Sequence, residues 1–192
     1  MTASTIELAV REQDRRVATY AAAAVGLTLA EAVIPLPIPG IKPGLANIVT
    51  LLVLVLFGWR MAAWVSLLRV VAGALLLGNF LTPAFVLSLS GTLASLITLA
   101  LFRSLYPAFL GLVGLSVLAA FAHVGAQLIV VDLWLMPGVS LLPLAPLFLA
   151  AAWVTGLVNG LVAVRLLADA ARGRVEDAPR TNAERVQRGL AP

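Results

Sequence analysis

Long apolar runs fill most of this chain, and short polar breaks separate them. A helix needs roughly 20 apolar residues to span a bilayer, and most of these runs reach or pass that length. The predicted helices cover about residues 17–34, 45–57, 61–81, 83–102, 107–135 and 141–168. The pattern therefore predicts an all-α integral membrane protein, folded as a six-transmembrane-helix bundle.

The polar residues collect at the two ends of the chain. They divide it into an N-terminal cytoplasmic segment at 1–16, a six-helix membrane domain at 17–168 and a basic cytoplasmic tail at 169–192. The first segment is too polar and too acidic for a cleavable signal peptide, so the first apolar run is expected to remain as a helix.

The composition excludes several classes of protein. Only 11% of the residues are charged, whereas soluble domains carry about 25%, so no separate soluble domain is expected. The chain has no cysteine, which excludes disulfides, iron–sulfur ligation and thiolate nucleophiles. With a single histidine as well, a structural metal site is not expected.

The basic residues predict the topology. The net charge of +4 does not indicate nucleic-acid binding, because the arginines lie at the termini and helix ends. Six antiparallel helices with a cytoplasmic N-terminus leave Lys42 outside and Arg69 within the third helix, and place every other basic residue inside, as the positive-inside rule requires. The inside set is Arg11, Arg15, Arg16, Arg60, Arg103, Arg165, Arg172, Arg174, Arg180, Arg185 and Arg188.

Several polar residues interrupt the apolar helices and are candidates for a binding site. A charge near the bilayer centre costs at least about 2.5–3.5 kcal/mol, so such residues face the bundle interior, where they pair or line a site. From the helical rise, Arg69 lies roughly 12 Å, Glu31 roughly 21 Å and His123 roughly 24 Å above the inner surface. The candidates are Glu31, Arg69, His123 and Gln127, with Lys42, Asn47 and Asp132 near the outer ends.

Each candidate also has a purely structural interpretation. Glu31 and Arg69 could form a buried ion pair that only joins helices 1 and 3, and His123 could simply bond to a neighbouring helix. Asp132 lies beside Trp134 and is typical of an interface residue. His123 and Gln127 are four residues apart and share one helix face, which favours a polar cavity.

The connection 35–44 is the most specific local feature. Its prolines forbid a regular helix, and Lys42 precedes Asn47 at the start of the second helix. Free N–H groups at a helix start favour an anion or a carbonyl oxygen. The connection therefore predicts a ligand-binding segment, with an ordinary stiff turn as the alternative.

The first helix carries a small residue at every fourth position. This ladder consists of Ala18, Ala22, Gly26 and Ala30, and small residues let another helix approach closely. It predicts either packing within the bundle or docking of a partner subunit.

Signatures of catalysis are absent from the sequence. There is no Walker A motif, HExxH or serine elbow, and there is no aspartate-rich motif for prenyl diphosphate chemistry. The protein is therefore expected not to be an enzyme and not to hydrolyse ATP itself.

The segment 37–50, Pro-Ile-Pro-Gly-Ile-Lys-Pro-Gly-Leu-Ala-Asn-Ile-Val-Thr, resembles the signature of the Gx transporter family. That family is also known as heptaprenyl diphosphate synthase component I and is similar to the S components of energy-coupling factor transporters. Val124 stands where family members usually have asparagine. Other residues that fit the family pattern are Glu31, Arg69, Gly78, Ser88, Leu89, Ser90, Gly91, Ser95, Gly114, Ser116, His123 and Gln127.

The resemblance implies a membrane-embedded substrate-binding subunit. S components have six helices and an outward-facing pocket, and they dock through helix 1 on a coupling transmembrane subunit driven by two ATPases. Lys42 and the start of the second helix favour a small ligand that is anionic or oxygen-rich. Two alternatives remain: a quinone- or flavin-linked component of extracytoplasmic electron transfer, and an accessory subunit of isoprenoid or menaquinone synthesis. The sequence identifies neither the ligand nor a cofactor.

Overall fold

The structure is a computed structural model that describes residues 12–33, 44–141 and 143–176, with side chains described as far as residue 172. Most residues in these ranges belong to helices. They are α1 (Glu12–Val33), α2 (Ala46–Phe57), α3 (Trp59–Leu76), α4 (Pro83–Phe102), α5 (Leu112–Val130) and α6 (Ala145–Glu176).

Among the described residues, five helices are long and apolar enough to cross a membrane. The remaining helix, α2, has 12 residues and is therefore roughly 18 Å long, against a hydrocarbon core of about 30 Å. The protein is thus a multi-pass helical membrane protein. The second predicted span is therefore present as the helix α2, but this helix is too short to cross a bilayer by its length alone.

Several helix ends differ from the predicted bounds. Helix α3 ends at Leu76 rather than near residue 81, and α5 begins at Leu112 rather than near residue 107. Helix α1 begins at Glu12 rather than near residue 17, and α6 continues to Glu176 rather than ending near residue 168. The extra turns of α1 are polar, and Glu12 accepts a 3.0 Å ion-pair contact from Arg16 one turn later. Hydrophobicity marks where a helix meets lipid, whereas charged i,i+4 pairs of this kind let the helix continue into water.

Helices that follow one another in the sequence run antiparallel. Between α4 and α5, Ser95 lies opposite Ala119, Gly91 opposite His123, and Gln127 opposite Leu87. At the other side of the bundle, the rings of Tyr20 and Phe57 contact each other with centroids 5.3 Å apart, so that the start of α1 meets the end of α2.

The core surrounds α2. Leu51 and Val53 are only 2% and 0% exposed, and α2 is in contact with α1, α3 and α6. The outward faces of the longer helices instead present large apolar side chains such as Trp64, Ile97 and Trp153. An exposed apolar surface of this kind is expected where a protein contacts lipid rather than water.

Two glycines of α6 allow it to approach α5 closely. A Cβ atom added to Gly156 would lie 2.8 Å from the Cα of Val117, and one added to Gly160 would lie 2.7 Å from the Cα of Val113. This is a GxxxG contact, in which the missing side chains bring two helix backbones together. Asn159 lies between the two glycines, and its position depends on this close packing.

Candidate ligand cavity

A cavity of about 310 Å³ lies toward the end of the bundle where α3 ends and α4 begins. Each of the six helices contributes at least one polar side chain to its wall. These polar lining residues are Thr28, Glu31, Asn47, Arg69, Asn79, Ser88, Thr92, His123, Gln127, Thr155 and Asn159. A concave space with a few converging polar groups is the usual form of a small-molecule site.

Arg69 is the buried cation of this cavity. It belongs to α3, and only 9% of the residue is exposed. Its Nη2 atom donates to Asn47 Oδ1 and to Thr92 Oγ1, each at 3.4 Å. Both bonds are longer than the 2.7–2.9 Å of strong charge-assisted bonds.

Glu31 lies in the wall of the same cavity, but its hydrogen bond goes to a different helix. The carboxylate accepts the backbone N–H of Leu45, the residue that precedes α2. Arg69 lines the same cavity as Glu31. Glu31 and Arg69 form no ion pair in the described part of the chain. The predicted pair between helices 1 and 3 is therefore wrong, and the hydrogen bonds of Arg69 go instead to α2 and α4.

The start of α2 is fixed by α1 and α6. Gly44 has a left-handed backbone, with φ of 68°, which glycine adopts without the cost that a side chain would add. Its carbonyl accepts the N–H of Asn47 at 2.8 Å and the amide of Asn159 at 3.1 Å. The anion at this helix start is therefore Glu31 itself, which takes the place that the sequence analysis gave to a ligand.

His123 packs directly on the backbone of α4. A Cβ atom added to Gly91 would lie 2.7 Å from His123 Nε2, so that the ring occupies the space of a missing side chain. Its Nδ1 lies 3.4 Å from Ser95 Oγ, and this hydroxyl donates to the Ala119 carbonyl at 2.9 Å. One turn further on, Gln127 donates to the Leu87 carbonyl at 3.3 Å.

A smaller cavity of about 20 Å³ lies below Arg69 and shares Asn47, Thr92 and Asn159 with the larger one. The hydroxyls of Thr50 and Ser66 lie 2.8 Å apart in its wall. A polar space of this size can hold one water molecule. The polar surface thus extends one helical turn below the floor of the main cavity.

The structure brings five of the predicted site residues to one cavity: Glu31, Asn47, Arg69, His123 and Gln127. Lys42 and the connection 34–43 lie outside the described residues, so the predicted role of Lys42 stays a prediction. Asp132 does not line the cavity. It is exposed and lies in a π-helical turn, Val131–Leu135, that follows α5.

The small-residue ladder of the first helix faces outward. Ala18, Ala22, Gly26 and Ala30 are all exposed, whereas Ala21, Ala24 and Glu31 form the buried face of α1. Packing of the ladder within the bundle, one of the two interpretations offered above, is therefore wrong for this chain.

Asn159 and Thr92 also line the cavity, although the sequence did not predict them. Asn159 is 3% exposed and Thr92 is also 3% exposed, and each contacts the segment around Arg69 or Gly44. An asparagine within an apolar helix is itself a signal, because a buried amide needs partners. Its position between two glycines was a second signal of close packing.

The family described as heptaprenyl diphosphate synthase component I matches residues 20–166. The chain belongs to this family. The matched region includes every cavity residue from Thr28 to Asn159, and the word "component" in the family's description implies a partner subunit. No curated protein and no solved structure matches the chain.

Proposed function

We propose that this protein is a membrane-embedded substrate-binding subunit similar to an S component of an energy-coupling factor transporter. It binds a small anionic or oxygen-rich ligand in the cavity described above. It resides in the bacterial cytoplasmic membrane with both termini in the cytoplasm, and it transports its ligand only together with partners.

One observation carries this proposal: all six helices place polar side chains around a single cavity of about 310 Å³ within an apolar bundle. Polar groups inside a membrane protein are costly, and one or two of them would suffice to join helices. A set drawn from every helix is typical of a site built for a solute. Its apolar part, which includes Leu77, Phe85 and Phe148, suits a ring or an isoprenoid group.

The protein is proposed to bind rather than to catalyse. Among the described residues, no three His, Cys, Asp or Glu side chains are grouped so that they could hold a metal ion. The sequence likewise lacks the motifs of ATP hydrolysis and of prenyl diphosphate ionisation. An energy-coupled role then requires a separate subunit, in agreement with the family's description as a component.

The outward face of α1 is the proposed docking surface for a coupling subunit. Its residues Ala18, Ala22, Gly26 and Ala30 are exposed, and Gly26 has no atom within 4 Å of an added Cβ. A partner helix can therefore approach the backbone closely along this face. Replacing Ala22 and Gly26 with leucine should abolish co-purification of the partner while the isolated protein stays folded.

The second candidate is an accessory subunit of isoprenoid synthesis, which the family's description favours. In that case the chain should co-purify with a prenyl-synthesising subunit rather than with ATPases. A quinone- or flavin-linked role would instead be recognised by a bound redox molecule.

Mass spectrometry of the protein captured from native membranes tests these functions together. A small polar solute with ATPase-linked subunits supports the transport role. Absence of ATPase-linked subunits, together with a bound quinone, flavin or prenyl synthase, would contradict it. Purification of the variant with leucine at Ala22 and Gly26 is the matched control for specific capture.

A further inference from the structure

Arg69 carries a positive charge that the protein's own hydrogen bonds satisfy poorly. A guanidinium has five N–H groups, and both hydrogen bonds that Arg69 makes come from Nη2 at 3.4 Å. Its Nε has no hydrogen-bond partner in the described part of the chain; because this atom is shielded from solvent, it adds to the cost of the buried charge rather than to the contacts open to a ligand. A buried charged group left with donors to spare is strongly disfavoured unless something else completes its contacts.

The carboxylate of Glu31 does not complete those contacts. It lines the same cavity but forms no ion pair with Arg69 in the described part of the chain, and it accepts a hydrogen bond from the Leu45 N–H at the start of α2. A helix start carries about half a positive charge, which stabilises a carboxylate placed there. Glu31 is thus bonded to the start of α2, and the guanidinium has no short charge-assisted bond in the described part of the chain.

The groups next to Arg69 are suited to an oxyanion. Its guanidinium is planar and binds carboxylate and phosphate oxygens through two parallel bonds. The Thr92 hydroxyl and the Asn47 amide lie beside it and can donate to the same oxygens. Apolar residues of the same cavity, including Leu77, Phe85 and Phe148, leave room for an uncharged body further from Arg69.

We infer that the ligand carries one oxyanionic group, a carboxylate or a phosphate monoester, which binds Arg69 at the floor of the cavity while its apolar body lies toward Phe85 and Phe148. This inference rests on the proposed function and names the substrate class of that site. Arg69 is the one arginine or lysine in the described lining of the cavity. A single cation in a lining that also contains the carboxylate of Glu31 suits one oxyanionic group better than a diphosphate.

Four probes with the same ten-carbon body test this inference: geraniol, geranic acid, geranyl phosphate and geranyl diphosphate. Binding is measured by calorimetry on the protein in nanodiscs of phosphatidylcholine, with empty nanodiscs as the blank for partition into lipid. Geranic acid or geranyl phosphate should bind at least about tenfold more tightly than geraniol, because a charge-assisted bond is added. Whichever of geranic acid and geranyl phosphate binds more tightly identifies the anionic group of the ligand as a carboxylate or as a phosphate.

The variant Arg69→Met should lose that tenfold preference and bind geraniol as before. Arg60→Gln is the matched control, because Arg60 lies on the same helix but is exposed. Since Arg69→Met could fail to fold, Asn47→Asp is a second test. It places a carboxylate next to Nη2, and it should abolish binding of the anionic probes while raising the thermal stability of the empty protein.

Three results would overturn the inference. In the first, geraniol binds as tightly as geranic acid and geranyl phosphate. In the second, geranyl diphosphate binds more tightly than both geranic acid and geranyl phosphate. In the third, none of the four probes binds. The proposed function is judged separately, by the solute and subunits that co-purify from native membranes. A neutral co-purified solute would contradict the inference about Arg69 and leave the binding role intact.

Discussion

Replacing Gly160 with alanine tests whether close contact between α5 and α6 holds the site together. The new Cβ would lie 2.7 Å from the Cα of Val113 and 3.0 Å from the Cβ of Ser116. Carbon atoms in favourable contact are about 3.5–4.0 Å apart, so the two helices must separate by about 1 Å. The atom in the way belongs to the backbone, and no side-chain rotation can relieve the clash.

The expected loss of stability follows from two effects. Overpacking of a close contact costs about 1–3 kcal/mol. Displacement of α6 also weakens the 3.1 Å bond from Asn159 to the Gly44 carbonyl, and a hydrogen bond contributes about 1 kcal/mol. Alanine recovers up to about 1 kcal/mol through its better helix propensity. We expect a net loss of about 1–3 kcal/mol in the free energy of unfolding, together with weaker ligand binding.

The assay is unfolding of the purified protein by sodium dodecyl sulfate in mixed micelles, followed by circular dichroism. Gly125→Ala is the matched control, because α5 leaves open space around that glycine, and it should be neutral or slightly stabilising. Gly114→Ala should cost less than Gly160→Ala, since the atom it meets is the mobile end of Leu110. Equal stability of the Gly160 and Gly125 variants would refute the packing argument.

Three further predictions concern the cavity and the topology. Gly91→Ala should displace the His123 ring, 2.7 Å from the new Cβ, and lower ligand affinity about tenfold in calorimetry, consistent with the loss of one good polar contact; unchanged affinity would remove His123 from the site. Glu31→Gln should lower the free energy of unfolding by at least about 0.3–1 kcal/mol, the contribution of a charge at the start of α2, and by more because the buried guanidinium of Arg69 loses a nearby opposite charge. A neutral effect would show that the charge of Glu31 stabilises neither group. Cysteines placed at Thr2 and Ala191 should both resist an impermeant maleimide in intact cells, whereas labelling of one end alone would contradict the even number of spans.

The membrane character of the protein could be predicted from the order of its residues alone. The bounds of α4 match the prediction, because an apolar run between Pro83 and Arg103 leaves little choice for where a helix begins and ends. The sequence also indicated which residues line the cavity, since Glu31, Arg69 and His123 are costly in lipid and had to face inward. This part of the fold depends on the free energy of transferring each side chain from water to lipid, which is a property of the residue type.

The partners of those residues were decided only in the tertiary structure. The rotation of each helix about its axis turns the ladder from Ala18 to Ala30 outward and brings Glu31 to the N–H of Leu45. The sequence placed Asn47 near the outer end of its helix and Arg69 roughly 12 Å above the inner surface, yet the two side chains meet. Asn159 reaches Gly44 across 115 positions of the chain. Such contacts depend on how six helices tilt and pack together, and hydrophobic length and helical rise contain no information about tilt.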